Sequence, residues 1–283
     1  MIKRKYLEEN IFKFLMWFSF ILMSSVLLLI VISVAYKGIA AMNIDMITKT
    51  AKGGFYLGKE GGILHAIIGS LYIAGGASVI ALFISIPVVI FLNVYLSADS
   101  KAAAATRFIM DVMSGIPSIV CGTFCFTLML YFGMRASLIG GIIAIAILVI
   151  PVMCRSLDEI ARQIPRELII ASFALGITRY EAGYKIFARQ LIPGIVTSFL
   201  LAFGRGIGDA AAVLFTAGFT DNIPVSLTKP AASLSLAIFF QLEMPIEEVR
   251  RRAYASALVL MGIILAVSIV SRIIAAKYRK YNV

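Results

Sequence analysis

The chain has 283 residues, of which 61% are hydrophobic and 14% charged. A soluble domain of this length is about half apolar and a quarter charged, so the composition excludes an ordinary globular protein. The net charge of +11 is that of cationic loops flanking membrane spans, not of a nucleic-acid surface, because the apolar residues form long runs with the basic residues between them.

Apolar runs of roughly 20 residues match a bilayer core of about 30 Å. The alternating short segments of an outer-membrane barrel are not found. In chain order, spans are expected at 14–36, 66–96, 108–132, 137–154, 195–218 and 253–274. The fold class read from this pattern is an all-α polytopic membrane protein with six transmembrane helices. The first run is too long for a signal-peptide core and lacks a small-residue cleavage site, so it is read as a span. The second is over-long and contains Pro87, which predicts tilt or a kink. With the N-terminus inside, sixteen Lys and Arg residues fall on the inner side and nine on the outer, Arg205 completing the total of 26. That bias predicts a multi-pass plasma (inner) membrane protein with both termini cytoplasmic. The outward triplet Arg250, Arg251, Arg252 is the contrary feature.

Three connections are long. The first outer loop, 37–65, is rich in glycine and polar residues. The longest inner loop is 155–194. The last outer loop, 219–252, contains "SLSLAIFFQ", which is too short to span and reads as a re-entrant or interfacial helix. "MPIEEVRRR" then starts a helix, with Pro245 and two glutamates near its N-terminus. "GGFYLGKE" at 53–60 approaches a phosphate-binding loop through Gly53, Gly58 and Lys59. Glu60 stands where the magnesium-binding hydroxyl is required, however, and no strand precedes it. No ATP site and no cofactor are therefore expected. Cys121, Cys125 and Cys154 lie in apolar runs with no CxxC pair and no histidine beside them, the pattern of buried reduced thiols and not of a metal site. His65, at the outer end of the second span, reads as an interfacial residue. No convergent nucleophile and base favour a membrane enzyme, and no inverted repeat favours an ion-coupled secondary transporter.

The inner loop "PRELIIASFALGITRYEAGYKIFARQLIPG" at 165–194 reads as two short amphipathic helices broken at Gly176. Leu168, Ser172 and Leu175 form one stripe; Tyr184, Phe187 and Leu191 form the other. A glycine between helices supplies the positive φ that ends the first. Such a hairpin is a docking knob for a cytoplasmic partner or a loop lying on the membrane surface.

"FLLAFGRGIGDAAAVLFTAG" at 199–218 carries Arg205 and Asp209 inside an apolar span. Arg205 is eleven residues beyond Gly194, or about 16 Å. Pro117 and Pro87 fall at similar depth in their own spans. An arginine at that level costs roughly 2.5–3.5 kcal/mol, and Asp209 at i+4 would share its face and offset its charge. Two readings follow: an ion pair that locks helices, or the lining of an anion pathway, for which arginine's planar fork is suited. Pro117 frees backbone groups near Ser114 and Ser118 that can bind an anion or cap the break.

The loop at 165–194 resembles the coupling loop of type I ABC importer permeases. Ala171 and Gly176 fit that pattern, Ile170 stands at its usual glutamate, and its Leu-Pro position falls near Ala188 and Arg189. "SGIPSIVCG" at 114–122 and "GRGIGDAAAVLFTA" at 204–217 are similar to phosphate-specific permeases of the PstA type. Arg205, Gly208 and Leu214–Ala217 match, with Asp209 for glutamate and Ala210 for threonine. The resemblance runs over nearly the whole chain. It implies the type I importer permease fold with a coupling-helix hairpin. It divides the chain into an N-terminal span and external loop at 1–63, a transport core at 64–276 with its coupling loop at about 155–194, and a tail at 277–283. It further implies the permease subunit of an ATP-driven inorganic phosphate importer, with sulfate or molybdate as the nearest alternative cargo. The implied partners are a sister permease, two cytoplasmic ATPase subunits, an external phosphate-binding protein and the lipid bilayer. Arg205, Asp209, Ser114, Ser118 and Pro117 are the expected pathway residues; Ala171, Gly176, Arg179 and Tyr180 are expected to meet the ATPase.

Overall fold

A computed structural model describes residues 2–52, 60–97 and 100–279. The loop resembling a phosphate-binding motif falls, except for Glu60, outside them. The chain opens with α1 (Ile2–Ala41), a single long helix. A short α2 (Ile44–Thr48) follows, capped by the Asn43 side chain, which accepts from the Met46 N–H at 2.6 Å. A two-residue antiparallel ladder of β1 (Ala51–Lys52) with β2 (Glu60–Gly61) closes the first loop.

The core is built on α3 (Leu64–Ile90) against α6 (Leu138–Ala161). Small residues recur every three or four positions on α3: Ala66, Ser70, Ala74, Ala77, Ala81 and Ser85 are all buried. They let α6 come close, so that Ile145, Val149, Met153 and Leu157 are buried against them. Cys154 donates its thiol to Ser85 Oγ at 3.1 Å, and Cys121 and Cys125 are likewise buried and free.

The helix α3 passes through Pro87 and continues as a wide turn of π type at Phe91–Tyr95. The Leu96 N–H donates to the Phe91 carbonyl at 3.2 Å, five residues back. Pro87 lacks one donor of the ladder, and the widened turn lies beyond it, pairing the last residues of the helix.

The third span is not one rod. Helix α4 (Lys101–Gly115) and helix α5 (Ser118–Tyr131) meet at 96°. Ile116 precedes a proline and takes an extended backbone, φ −69° and ψ 130°, so the helix cannot run through.

Helix α6 reaches Ala161, seven residues further than the sequence pattern predicted. The inner loop is correspondingly shorter: α7 (Arg166–Ala174), a single turn α8 (Arg179–Glu181), and a second π-type segment at Ala182–Phe187 that runs into α9 (Ala188–Gly208). The fifth span therefore starts and ends earlier than the expected 195–218. Residues 209–233 are not helical. Then come α10 (Leu234–Leu242) and α11 (Glu247–Arg279).

The apolar stretch of the last outer loop is α10, whose first turn, Leu234–Ala237, is buried while Phe239 and Leu242 are exposed. Ser233 caps it by accepting from the Leu236 N–H, and Ser70 of α3 accepts from the Leu234 N–H at 2.7 Å. Helix α11 packs on α9 and α10, and α1 packs on α11. The rest of α1 carries large apolar side chains outward, among them Phe14, Trp17 and Leu29. Only lipid or another apolar protein surface is a compatible neighbour for them.

Candidate functional site

Arg205 stands three residues before the end of α9, and the helix stops at Gly208. Asp209 has an extended backbone, φ −82° and ψ 119°, and its carboxylate accepts from the Ala212 N–H at 2.8 Å. A short acidic side chain that binds the backbone three residues on competes with helix. The expected pairing on one helical face is therefore not made, and Arg205 and Asp209 form no ion pair. The Asp209 carbonyl accepts instead from the Ser235 hydroxyl at 3.1 Å.

After Asp209 the chain turns tightly through 211–217 and packs on α5. A Cβ placed on Gly122 would lie 2.7 Å from the Ala212 carbonyl oxygen. The Thr216 hydroxyl donates to the Ala212 carbonyl at 2.9 Å. The Ser137 N–H donates to the Thr216 carbonyl at 2.9 Å, and the Ala231 N–H to the Ala217 carbonyl at 3.0 Å. The motif Leu214–Ala217 thus forms part of a turn, with Thr216 and Ala217 buried, not the last turn of a span.

Arg205 points away from this turn. It is exposed in a cleft of about 480 Å³ between α9 and α11, which also holds Ser268, Ser271 and Arg272 among apolar walls. Gly204 and Gly208 face α11: a Cβ on Gly204 would lie 4.0 Å from Val267 and one on Gly208 3.8 Å from Ile264, ordinary contact distances. The cleft brings together two guanidinium groups and two hydroxyls, and no carboxylate lines it. Guanidinium groups only donate, so the fitting ligand is an oxyanion.

The sequence reading missed Ser268, Ser271 and Arg272. Their signal was "SIVSR" inside the last apolar run, where Arg272 counts only as an inner-end charge until the helices are packed. The other expected pathway residues do not line this cleft. Ser114, Pro117 and Ser118 sit at the elbow of α4 and α5, and the Ser114 hydroxyl donates to the Met110 carbonyl at 2.8 Å.

The hairpin forms a second site. Helix α7 ends at Ala174, and Gly176, two residues on, has a φ of +80°. The Gly176 N–H donates to the Phe173 carbonyl at 3.0 Å and the Ile177 N–H to the Ser172 carbonyl at 3.2 Å, the paired closure of a glycine-terminated helix. Thr178 then opens α8 with a reciprocal cap to Glu181. The Arg179 guanidinium donates to the Tyr95 carbonyl at 3.3 Å and ties the hairpin to the end of α3.

The buried stripe is rotated from the expected one. Ile169 and Ser172 face inward, while Leu168 and Leu175 are exposed, Leu175 by 81%. On the second arm Phe187 and Leu191 are buried as expected, and Tyr184 is not. The reason is that Gly183 sits within 3.0 Å of Ile90, measured from a would-be Cβ, which fixes the rotation of that arm. Ala171, Gly176, Arg179 and Tyr180 are exposed, and the Tyr180 and Tyr184 rings lie 5.0 Å apart. Ile170, Phe173, Leu175 and Tyr180 make the tip apolar.

Gly176→Val is expected to leave the spans inserted and to break the hairpin turn, because a β-branched residue at positive φ is strained by about 1–3 kcal/mol. Nothing lies within 4 Å of a Cβ there, so the effect is of the backbone alone. Loss of substrate-stimulated ATPase in the assembled transporter at wild-type membrane abundance is the expected reading; normal coupling would refute the hairpin's role.

At the far end of the bundle, His65 is buried with 2% exposure, its ring edge-on to Phe219 at 6.4 Å. It is a core residue and not an interfacial one. Arg252 is also buried and donates to the Gly61 carbonyl at 3.3 Å, while Arg251 pairs with Glu247 at 2.8 Å. The outward basic triplet is thus partly taken up inside the protein.

Three comparisons bear on this arrangement. Over residues 85–280 the chain matches the family described as binding-protein-dependent transport system inner membrane component. It is 32% identical over 216 residues to phosphate transport system permease protein PstA 1 of Mycobacterium tuberculosis, covering 76% of this chain and 70% of that one. To PstA of Yersinia pestis it is 32% identical over 251 residues, covering 89% and 84%. To PstA of Haemophilus influenzae it is 31% identical over 237 residues, covering 84% and 83%. Among solved structures, an inward-facing MetNI methionine ABC transporter chain superposes with a TM-score of 0.60 at 18% identity, over 75% of this chain and 95% of that one. The fold is therefore that of a type I importer permease. With the matched region running from within α3 to the end of α11, the chain belongs to the family of binding-protein-dependent transport system inner membrane components.

Proposed function

We propose that this chain is the transmembrane permease subunit of an ATP-driven importer of inorganic phosphate. It forms half of the pathway through a core at 64–276. The observation that carries the substrate is the identity of 31–32% to permeases named for phosphate transport over most of both chains. The cleft of Arg205, Arg272, Ser268 and Ser271 supplies matching chemistry: bidentate donors for tetrahedral oxyanions, with no acid to repel them.

ATP hydrolysis belongs to separate subunits, which dock on the apolar tip of the hairpin around Gly176 and Tyr180. A sister permease completes the pathway, and an external binding protein delivers the anion. Asp209 acts by shaping the turn beside α5. Ser114, Pro117 and Ser118 form the elbow at which the third span bends.

The test is purification of the complex through this chain, with ATPase and uptake measured for phosphate, sulfate and molybdate. Phosphate alone is expected to support both activities. Activity with sulfate or molybdate and not phosphate would reassign the cargo.

Both termini and the hairpin lie on the cytoplasmic side in this reading. Cysteine placed at Gln163 is expected to react only with reagents that enter the cell, and cysteine at Thr48 or Thr228 with impermeant ones. All three positions are exposed. Labelling of Gln163→Cys from outside intact cells would overturn the orientation.

A further inference from the structure

A second basic cavity lies at the hairpin end of the bundle, apart from the Arg205 cleft. Its volume is about 240 Å³, and Asn93, Arg107, Arg162, Arg166, Ile169 and Phe187 are among its lining residues. Asp158 stands beside it, with its side chain 6% exposed. Arg107 donates to this carboxylate through Nε at 2.8 Å and Nη2 at 3.2 Å. Arg162 Nε donates to it at 3.0 Å and Asn93 Nδ2 at 2.8 Å.

One carboxylate thus meets two guanidiniums, and Arg166, which makes no ion pair among the described residues, adds a third. The site carries a net charge of two positive units. The Asp158 oxygens are already taken up, whereas Arg107 Nη1, both terminal nitrogens of Arg162 and the whole Arg166 fork remain as donors. Guanidinium groups offer no acceptor, and the Asn93 side-chain oxygen is a lone neutral acceptor among three cationic forks, so the excess of donors favours an anion over a cation. The volume corresponds to about eight waters at roughly 30 Å³ each. That admits a tetrahedral oxyanion with some hydration and falls below the roughly 300 Å³ where pockets for larger organic ligands begin.

We propose that this cavity is an oxyanion site for a phosphate group, bridging Arg166 on the hairpin to Arg107 and Arg162 on the core. The elements it joins give it a consequence. Arg107 is on α4, Arg162 closes α6, Asn93 is in the π-type turn ending α3, and Ile169 and Phe187 belong to the two arms of the hairpin. A bound anion ties the hairpin to three spans at once. The phosphate group has two possible sources, free inorganic phosphate on the inner side and the headgroup of an anionic phospholipid.

The site does not depend on the transport role given to Arg205, and the experiment keeps them apart. The complex purified through this chain is made in an Arg205→Ala background and placed in phosphatidylcholine nanodiscs. Binding of radiolabelled phosphate is compared with and without Arg166→Gln. Arg166 is exposed and makes no ion pair among the described residues, so the substitution is expected to leave folding intact; equal thermal midpoints check this. Loss of its charge-assisted contacts is expected to weaken binding about tenfold. If the occupant is lipid, phosphatidylglycerol added to the discs displaces the phosphate and is retained through purification by the parent but not by Arg166→Gln. Either result supports the site and names its source. Unchanged phosphate binding together with unchanged phosphatidylglycerol retention in Arg166→Gln would overturn it, whatever the transport assay shows.

Discussion

Arg205→Ala is expected to reduce phosphate uptake by about two orders of magnitude or more, the loss of two charge-assisted hydrogen bonds of roughly 1.5–3 kcal/mol each, at unchanged membrane abundance. The second half of this expectation comes from the structure. An arginine locked to Asp209 would leave a buried carboxylate behind when removed, at a cost of about 3–5 kcal/mol. Arg205 instead lies exposed in the cleft that also holds Arg272, so its removal leaves no acid unpaired. Asp209→Ala has a separate effect, loss of the cap on the Ala212 N–H, worth about 1 kcal/mol. The thermal midpoint of the double variant is therefore expected to match that of Asp209→Ala, because sites without a shared partner add. Recovery of transport or stability in the double variant would restore the ion-pair reading. Arg205→Lys is expected to transport poorly as well, since a point ammonium does not reproduce a planar fork. Near-normal uptake by Arg205→Ala would remove the cleft from the pathway.

Asp158→Ala is expected to destabilise the protein by about 3–5 kcal/mol. The Arg107 side chain is only 20% exposed and loses two hydrogen bonds, and Asn93 and Arg162 lose one each. The damage falls where the ends of α3, α4 and α6 meet, so the hairpin loses its footing too. Thermal unfolding of the purified complex measures this. Asp158→Ala with Arg107→Leu is expected to regain most of the loss, because a buried pair can be exchanged for apolar packing at little cost, whereas half a pair cannot. If Asp158→Ala melts with the wild type, the carboxylate is not what joins these helices.

That this is a helical membrane protein, where most spans lie and which family signatures it carries are all legible in the order of its residues. Long apolar runs can be satisfied only by helices in a bilayer, whatever packs beside them. The hairpin's turn at Gly176 is legible there too, because a glycine between two amphipathic segments is a local signal. Where polar groups meet depends on how the helices pack. Asp209 reads as an i+4 partner until the helix is seen to stop one residue before it, in favour of a turn that must pack on Gly122 and Ser137. Arg272 reads as a loop charge until α11 is laid beside α9. Asp158 draws no notice in the sequence because its partners are Arg107, Asn93 and Arg162, of which only Arg162 is near in sequence. His65 reads as interfacial until Phe219 covers it. Periodicity reports which residues avoid water and is silent on azimuth. The sites of this protein depend on azimuth, since each is made by side chains from separate helices turned toward one another.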